Sequence, residues 1–260
     1  MTEEESIMKQ LNEKVAIVTG AGQGIGKGIA LVLARRGVKV VCTGRRLEPI
    51  EQTVAEIKAA GGEGFAMTCD SADRARVDEV VAKAVELYGS IDVIVNNGQA
   101  IVPSAKVEDT TYENMLAAWQ SGTIGSLNYM QAAFPYMKAQ NEGRIINFAS
   151  ATGMFGIAGQ LSYASNKEAL RGLTKVAAKE WGQYGICVNV VLPGAESPAA
   201  KAWAQKFPEE YHKQVMLNPM HRFGDPEVDI APVIAFLAGP DSCYYSGQSV
   251  IVDGANSIAP

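Results

Sequence analysis

Lys-Val-Ala-Ile-Val-Thr-Gly-Ala-Gly-Gln-Gly-Ile-Gly, residues Lys14–Gly26, is the stretch that decides the fold. Val15–Thr19 is a short apolar run rich in β-branched residues, which is typical of a strand buried in a parallel sheet. Glycines at Gly20, Gly24 and Gly26 follow, and then a stretch with helical periodicity. A glycine turn between a strand and a helix binds anions, because backbone N–H groups point at the anion and no side chain blocks it. A plain tight turn is the alternative, since the spacing departs from the strict Gly-x-Gly-x-x-Gly pattern.

Strand-like and helix-like stretches alternate along the chain. Strands are predicted at Val15–Thr19, Val38–Thr43, Gly64–Thr68, Ile91–Asn96, Gly143–Ala149, Ile186–Leu192 and Ser249–Val252. Helices are predicted at Ile25–Arg36, Leu47–Ala60, Arg74–Tyr88, Tyr112–Ala139, Gln160–Tyr184 and Asp229–Leu237. Repeated β–α units predict an α/β fold whose seven-stranded parallel sheet is covered by helices on both faces. The irregular region 194–226, with a helix-like stretch at Ala199–Gln214, is predicted to be a substrate lid.

Three polar residues form a candidate catalytic group. Tyr163 and Lys167 are four residues apart, so on a helix they share one face, and Ser150 lies thirteen residues upstream of the tyrosine. A cation beside a phenol favours the phenolate and lowers its pKa from about 10 toward neutrality. Such a pair is suited to moving a proton on or off an alcohol or carbonyl oxygen, which a serine hydroxyl can hold. The alternative is an ordinary helix pair with a packed tyrosine and a solvated lysine.

Several motifs together resemble the short-chain dehydrogenase/reductase family. They are Thr19-Gly20-x-x-x-Gly24-Ile25-Gly26, Asn96-Asn97, Ser150, Tyr163-x-x-x-Lys167 and Pro193-Gly194, in the family's order and spacing. The resemblance spans about Leu11 to Ala255 and implies one Rossmann-like, doubly wound catalytic domain over residues 1–260. It implies hydride transfer between a nicotinamide cofactor and an alcohol or ketone. In it Tyr163 exchanges the proton, Ser150 holds the substrate oxygen, and Lys167 lowers the pKa of the tyrosine and binds the nicotinamide ribose.

The resemblance also implies a set of cofactor-binding residues. They are Gly20, Gln23, Gly24, Ile25, Gly26, Arg45, Arg46, Asp70, Ser71, Asn97, Gly98, Tyr163, Lys167, Pro193, Gly194, Glu196 and Ser197. Gly44 stands where relatives that use NAD often carry an acid for the ribose 2′-hydroxyl, and Arg45 follows with a guanidinium suited to a 2′-phosphate. NADP(H) is therefore the favoured cofactor. NAD(H) stays open, because an arginine pair on the surface is often only solvated and Gln23 replaces a basic residue of many NADP-dependent relatives.

Three positions depart from the family pattern. Gly98-Gln99 replaces Ala-Gly; the freedom of the glycine backbone is expected to preserve the turn, and Gln99 is expected to face the cofactor or the substrate. Gly122 stands where the family has a catalytic asparagine that helps to hold a water linking the lysine to solvent. Ser197 is expected to replace the usual threonine that contacts the carboxamide.

The prediction of the substrate class rests mainly on aromatic residues of the lid. Trp203, Phe207 and Tyr211 are spaced by four, so a single helix would present them on one face toward the cleft. The predicted substrate-binding residues are Gln99, Ser150, Phe155, Trp203 and Phe207. Ser121-Gly122 and Arg222–Pro226 resemble a bacterial subgroup that includes NADP-dependent 12α-hydroxysteroid dehydrogenases, which favours a hydroxysteroid or another bulky apolar alcohol. The alternatives are acyl, keto-ester or sugar substrates, a lid face that only packs on its own domain, and a catalytically silent dinucleotide-binding sensor or scaffold.

Composition agrees with one soluble enzyme domain in the cytoplasm, and the family resemblance implies a small-molecule alcohol or ketone as its partner. The net charge of −5 gives no reason to expect nucleic acid or an anionic membrane as a partner. The first residues lack the basic start and apolar core of a signal peptide, and the four cysteines have no Cys-x-x-Cys spacing, which favours a reducing compartment. The two histidines predict no metal site. The long helical stretches Tyr112–Ala139 and Gln160–Tyr184 predict a homotetramer, because in this family such helices pair across a two-fold axis.

Overall fold

Seven parallel strands form one sheet in the computed structural model, which describes residues 11–196 and 198–258. The strands are β1 (Val15–Thr19), β2 (Lys39–Gly44), β3 (Gly64–Thr68), β4 (Val93–Asn96), β5 (Gly143–Phe148), β6 (Ile186–Pro193) and β7 (Ser249–Val252). Their order in the sheet is β3-β2-β1-β4-β5-β6-β7, and every neighbouring pair is parallel. The predicted Rossmann-like, doubly wound fold is confirmed.

Helices connect the strands and cover both faces of the sheet. They are α1 (Gly24–Arg35), α2 (Leu47–Ala59), α3 (Arg74–Tyr88), α4 (Tyr112–Trp119), α5 (Gly125–Gln140), α6 (Ala151–Phe155), α7 (Leu161–Trp181), α8 (Pro198–Lys206), α9 (Pro208–Leu217) and α10 (Ala231–Ala238). A π-helical turn, Gln120–Ile124, joins α4 to α5, and a second one, Pro226–Ile230, leads into α10. Short 3₁₀ turns occur at Val107–Asp109, Gly182–Tyr184 and Pro240–Ser242.

The central strand β1 shows why the sheet is buried on both sides. Successive side chains of a strand point to opposite faces. Ala16 and Val18 accordingly join the core beneath α1 and α10, whereas Val15 and Ile17 join the core beneath α3, α5 and α7. All four are fully buried. This two-sided burial explains the unbroken apolar runs in the sequence.

The predicted lid helix Ala199–Gln214 is wrong, because the chain breaks there into α8 and α9. Pro208 is the first residue of α9, and proline disfavours helical backbone at the residue before it. Phe207 accordingly has φ −138° and ψ 68° and precedes α9 as its N-cap residue. Trp203, Phe207 and Tyr211 therefore do not share one continuous helix face. The Trp203 side chain lies outside the described part of the structure.

The strand order reverses at the neighbouring strands β1 and β4, which leaves a crevice beyond their carboxyl ends. From β1 the chain runs outward to β2 and β3, whereas β4, β5, β6 and β7 extend the sheet the other way. In open α/β sheets, ligands bind beyond the carboxyl ends of the strands at such a point. The glycine turn after Thr19 and the segment after Asn96 meet there.

Candidate active site

A cleft of about 570 Å³ opens beyond the carboxyl ends of the strands at this switch point. The predicted cofactor-binding residues that line it are Gly20, Gln23, Gly24, Ile25, Arg45, Arg46, Asp70, Ser71, Asn97 and Gly98. Gln99 and Ser121 complete its far wall. The loop after each of four strands therefore contributes to one cavity, although these residues are widely separated in sequence.

The glycine turn packs closely on neighbouring segments, where a side chain would not fit. Gly20 has φ +66°, and a Cβ at Gly20 would lie 2.9 Å from Asn97 Nδ2. A Cβ at Gly26 would lie 2.4 Å from the Gly20 carbonyl oxygen, so Gly26 packs the helix start on the turn and does not line the cleft. The first turn of α1 thus presents its N-terminal N–H groups at the cleft, where they favour an anion.

Thr19 ties the two halves of the switch point together, and the sequence analysis gave it no such role. Its Oγ1 accepts hydrogen bonds from the backbone N–H groups of Asn97 (3.0 Å) and Gly98 (2.8 Å). Asn97 Nδ2 donates in return to the Thr19 carbonyl at 3.0 Å. These bonds place the loop after β4 directly on the glycine turn after β1.

Close packing explains Gly98 better than the backbone freedom that was expected. Gly98 is not among the glycines with positive φ, but a Cβ there would lie 3.1 Å from Gly20 N and 3.2 Å from Thr19 Oγ1. The neighbouring Gln99 lines the cleft, yet its amide oxygen and nitrogen are both buried and have no hydrogen-bond partner among the described residues. An unpaired buried amide is costly, which makes Gln99 a candidate partner for a bound molecule.

Ser150 and Tyr163 come together just beyond the end of β5. Ser150 precedes the short helix α6 as its N-cap, and its Oγ accepts from the Thr152 backbone N–H at 3.2 Å. Its hydroxyl also lies close enough to Tyr163, which projects from the first turn of α7, to lower the pKa of that phenol. Both side chains are half-buried. The helix α6 was not predicted, because five residues are too few for periodicity to reveal a helix.

Lys167 lies one turn after Tyr163 on the same face of α7. It is 5 % exposed, and its Nζ donates to the Phe148 carbonyl at the end of β5, 2.6 Å away. The Nζ lies 5.5 Å from the centre of the Tyr163 ring. Burial lowers the pKa of Lys167 from 10.5 to about 7, because the protein interior disfavours the ammonium. The structure therefore brings Ser150, Tyr163 and Lys167 together at the end of β5.

The pKa of Tyr163 in the protein alone moves opposite to the expected direction. Burial raises it above 10, and the nearby Ser150 hydroxyl offsets part of this effect. The expected lowering by Lys167 assumed a fully charged ammonium. Because burial brings the pKa of the lysine close to neutrality, that charge is present only in part at neutral pH.

A buried network of asparagines and threonines supports the strand ends beneath the site. Asn96 Nδ2 donates to Asn147 Oδ1 at 2.9 Å, and Asn147 Nδ2 donates to Thr174 Oγ1 on α7 at 2.9 Å. Ser121 Oγ accepts from the Ala100 backbone N–H at 3.1 Å. The only sequence signal for this network was the presence of asparagines at the ends of apolar strands.

The remaining predicted residues lie away from the cleft. Gly194 borders a separate cavity of about 400 Å³ near the C-terminal segment. Glu196 Oε1 accepts from the Tyr211 hydroxyl at 2.5 Å. Ser197 lies outside the described residues. On the substrate side, Phe155 and Phe207 are 55 % and 40 % exposed.

The cleft fits a nicotinamide dinucleotide. The α1 N-terminus and its glycine turn suit a pyrophosphate, and Arg45 and Arg46 line the part beyond β2. Asp70, beyond β3, offers a carboxylate, of which Oδ1 accepts from the Ala72 backbone N–H at 3.0 Å. Within the described ranges no cluster of His, Cys, Asp and Glu side chains suits a metal ion, and no helix has the length and apolar character to cross a bilayer.

Known proteins share this architecture. The sequence profile described as enoyl-(acyl carrier protein) reductase matches residues 20–255. A 12α-hydroxysteroid dehydrogenase of Clostridium sp. is 38% identical over 254 residues, which is 95% of this chain and 98% of that protein. A 3-oxoacyl-(acyl-carrier-protein) reductase of Thermotoga maritima is 36% identical over 94% of this chain and 98% of its own length. The crystal structure of an actinorhodin polyketide ketoreductase variant with NADPH matches with a TM-score of 0.88 and 30% identity, covering 94% of this chain and 97% of that one. With this fold, this site and these relatives, the chain belongs to the short-chain dehydrogenase/reductase family of oxidoreductases acting on CH–OH groups.

Proposed function

We propose that this protein transfers a hydride between NADP(H) and a secondary alcohol or ketone with a bulky apolar body, such as a hydroxysteroid. The observation that carries the proposal is the convergence of Ser150, Tyr163 and Lys167 at the end of β5. This arrangement holds an oxygen atom and exchanges a proton with it, which is the protein's part in carbonyl reduction.

The chemistry divides between the cofactor and the chain. The nicotinamide, when bound, carries the hydride. In the direction of reduction, the Tyr163 hydroxyl gives its proton to the substrate oxygen, and Ser150 holds that oxygen by a hydrogen bond. Lys167, with a pKa of about 7, is suited to return a proton toward the phenol at neutral pH. Its bond to the Phe148 carbonyl keeps its Nζ in place on the tyrosine side of β5.

The preference for NADP(H) is inferred from the chain beyond β2. Gly44 carries no acid that would repel a 2′-phosphate, and Arg45 lines the cleft beside it. Arg46 Nη2 donates to Gln23 Oε1 at 3.4 Å, so this arginine and the glycine turn face each other across the same part of the cleft. The NADPH in the ketoreductase crystal structure agrees with this proposal, and NAD(H) is the alternative to test.

Two observations support a bulky apolar substrate. The exposed Phe155 lies at the end of α6, five residues after Ser150, and Phe207 is half-exposed at the break between α8 and α9. The hydroxysteroid dehydrogenase among the relatives agrees with a large substrate. The 3-oxoacyl reductase relative favours a 3-oxoacyl substrate, a β-keto thioester, as the second candidate.

The test is a panel of substrates followed by NAD(P)H absorbance. Cholate-type hydroxysteroids, small aliphatic and sugar alcohols, and a β-keto thioester are each offered with saturating NADP(H) and, separately, NAD(H). We expect turnover of a hydroxysteroid with NADP(H). Efficient turnover of small substrates or of the keto thioester, with no steroid position reacting, would contradict the steroid proposal. Tight cofactor binding without turnover of any substrate would favour the silent sensor.

A further inference from the structure

Gly122 and Asn166 interlock across the boundary between the π-helical turn and α7. A Cβ at Gly122 would lie 2.3 Å from Asn166 Nδ2 and 2.5 Å from Asn166 Oδ1. No real side chain tolerates such distances without a shift of its neighbours. The Asn166 side-chain amide therefore occupies the space that a side chain at position 122 would need.

The Asn166 side chain is held in a defined orientation. It is 0 % exposed, and its Oδ1 accepts from the Thr123 backbone N–H at 2.8 Å and from the Thr123 hydroxyl at 2.7 Å. The Thr123 Oγ1 also lies 3.2 Å from the Asn166 carbonyl oxygen. A backbone N–H only donates, so the atom that accepts from it is the amide oxygen, which places the Nδ2 next to Gly122.

The amide nitrogen is the unusual part of this contact. Asn166 Nδ2 is buried and has no hydrogen-bond partner among the described residues. Buried amide groups in native proteins are normally paired, and one that serves packing alone is better replaced by an apolar side chain. Because an unpaired buried donor destabilises the fold, we look for a function of this amide in the reacting complex.

Asn166 also connects the helix of the catalytic residues to the segment that reaches the cleft. It directly precedes Lys167 and follows Tyr163 by three residues, so all three lie on neighbouring positions of one helix face. On the other side of the contact, Gly122 follows Ser121, whose Oγ holds the Ala100 backbone at the cleft. Any shift of this contact moves the catalytic turn of α7 relative to the cleft.

We propose that Asn166 is a positioning residue, which supplies a side-chain amide from α7 in the room left by Gly122 and anchors the turn bearing Tyr163 and Lys167 to Thr123. The proposal rests on the proposed function, because positioning refers to that reaction. It also explains Gly122: the glycine is the partner that an amide at position 166 requires. An amide thus occupies the space beside position 122, but it comes from a different helix than the family's asparagine.

The interlock is tested by thermal unfolding, without reference to activity. Gly122→Ala should lower the melting temperature of the otherwise unchanged protein, because its Cβ meets the Asn166 amide. In an Asn166→Ala background the same change should cost clearly less, since the amide is gone. Equal losses in both backgrounds would overturn the interlock. This result stands whether or not the substrate panel finds a turnover.

The positioning role is tested on whichever substrate the wild type turns over. Asn166→Ala should lower kcat by about 10- to 100-fold and shift its pH profile, with little change in NADPH affinity. The double variant Gly122→Asn/Asn166→Ala, which returns an amide to position 122, should recover part of that loss. Asn189→Ala, at a buried asparagine of β6 that donates to the Tyr245 carbonyl, is the matched control and should alter stability alone.

Two results would overturn this role. One is a wild-type kcat and pH profile in Asn166→Ala, and the other is a double variant no more active than Asn166→Ala. If Asn166→Ala does not fold, Thr123→Val replaces it, because it keeps the bond from the Thr123 backbone N–H to Oδ1 and removes only the contacts of the hydroxyl with Oδ1 and the Asn166 carbonyl. A smaller loss of kcat with a shifted pH profile is then expected, and an unchanged profile would count against the proposal.

Discussion

Burial governs the charge of Lys167 more than its polar neighbours do. The side chain sits beneath the site with one hydrogen bond, to the Phe148 carbonyl, and its pKa falls to about 7. A lysine that titrates near neutrality both accepts and returns a proton under working conditions. The motif spacing predicts where this lysine lies but not this change, because the degree of burial depends on strands and helices from distant parts of the chain.

The lowered pKa of Lys167 has a measurable effect on stability. Between pH 7 and 10.5 the unfolded chain binds a proton at this lysine that the folded chain does not. Stability therefore rises with pH in this window, by up to about 1.4 kcal/mol per pH unit from this group. We expect the free energy of unfolding in urea to rise more steeply with pH for the wild type than for Lys167→Met. Parallel curves would contradict the buried neutral lysine, and the exposed Lys58→Met serves as control.

Tyr163→Phe keeps the ring and removes the hydroxyl that meets Ser150. We expect kcat to fall by about 100-fold or more, because a positioned acid or base contributes that much. Cofactor affinity should change little. Tyr136→Phe, at a partly exposed tyrosine of α5, should leave both quantities unchanged. Near-normal turnover of the Tyr163 variant, with chemistry limiting the rate, would contradict the proposed mechanism.

Arg45→Ala tests the cofactor preference. The guanidinium at the cleft is expected to bind a 2′-phosphate, and losing a charged hydrogen bond costs about 1.5–3 kcal/mol. NADPH should therefore bind roughly 10- to 100-fold more weakly, whereas NADH should bind as before. Fluorescence titration of both cofactors into both proteins measures this difference. Equal losses for the two cofactors would mean that Arg45 does not recognise the 2′-phosphate.

At the scale of elements, the sequence predicted the positions of the strands, because burial on both faces of the sheet determines their apolar runs. All seven strands lie where the apolar runs indicated, within two residues at their ends, because both faces of a parallel sheet need apolar side chains. Helix α3 likewise has the predicted bounds. The π-helical turn Gln120–Ile124 was not predicted, since the chain is helical on both sides of it and no residue type marks such a turn.

The lid shows the opposite case, in which a spacing argument failed. The interval of four between aromatic residues indicated one helix, but Pro208 interrupts it. Proline has no backbone N–H to donate and disfavours helical backbone at the residue before it. A polar contact instead connects α9 to the segment that follows β6. The Tyr211 hydroxyl bonds Glu196, and this bond raises the pKa of Tyr211 to about 12.

Tyr211→Phe tests this connection. Removing the hydroxyl should loosen α9 from the chain after β6, while the ring continues to pack near Phe223. We expect faster proteolysis within 194–226 and a higher KM for a bulky substrate, with little change in melting temperature, because such loops open locally. Tyr184→Phe, far from the lid and packed on Phe134, is the control. Unchanged proteolysis would show that this bond does not hold the lid.

At the scale of the whole molecule, the site exists only because the sheet order brings distant segments together. Thr19 contacts Asn97 and Gly98 because β1 and β4 are neighbours, although more than seventy residues separate them in sequence. Sequence motifs located these segments through a family resemblance. They marked Gly122 as a departure from the family pattern but did not reveal its contact with Asn166, since only packing relates the two residues.

The surface of the single chain suggests how molecules assemble. Apolar side chains remain exposed on the paired helices α4 and α7, among them Tyr112 (73 %) and Val176 (56 %). A second exposed group near the C-terminal strand includes Phe236 and Tyr244. Two separate apolar surfaces on one chain allow two different two-fold contacts, and two such contacts generate a closed tetramer.

We therefore predict a homotetramer in solution, measured by light scattering at micromolar concentration. Val176→Arg places a charge on the α7 surface and should shift the mass toward the dimer, because an unpaired charge in an apolar contact is costly. Leu87→Arg, at an exposed apolar position of α3 outside both surfaces, should leave the tetramer intact. A single-chain mass for the wild type would contradict the assembly, and equal dissociation by both variants would contradict the assignment of the contact to α7.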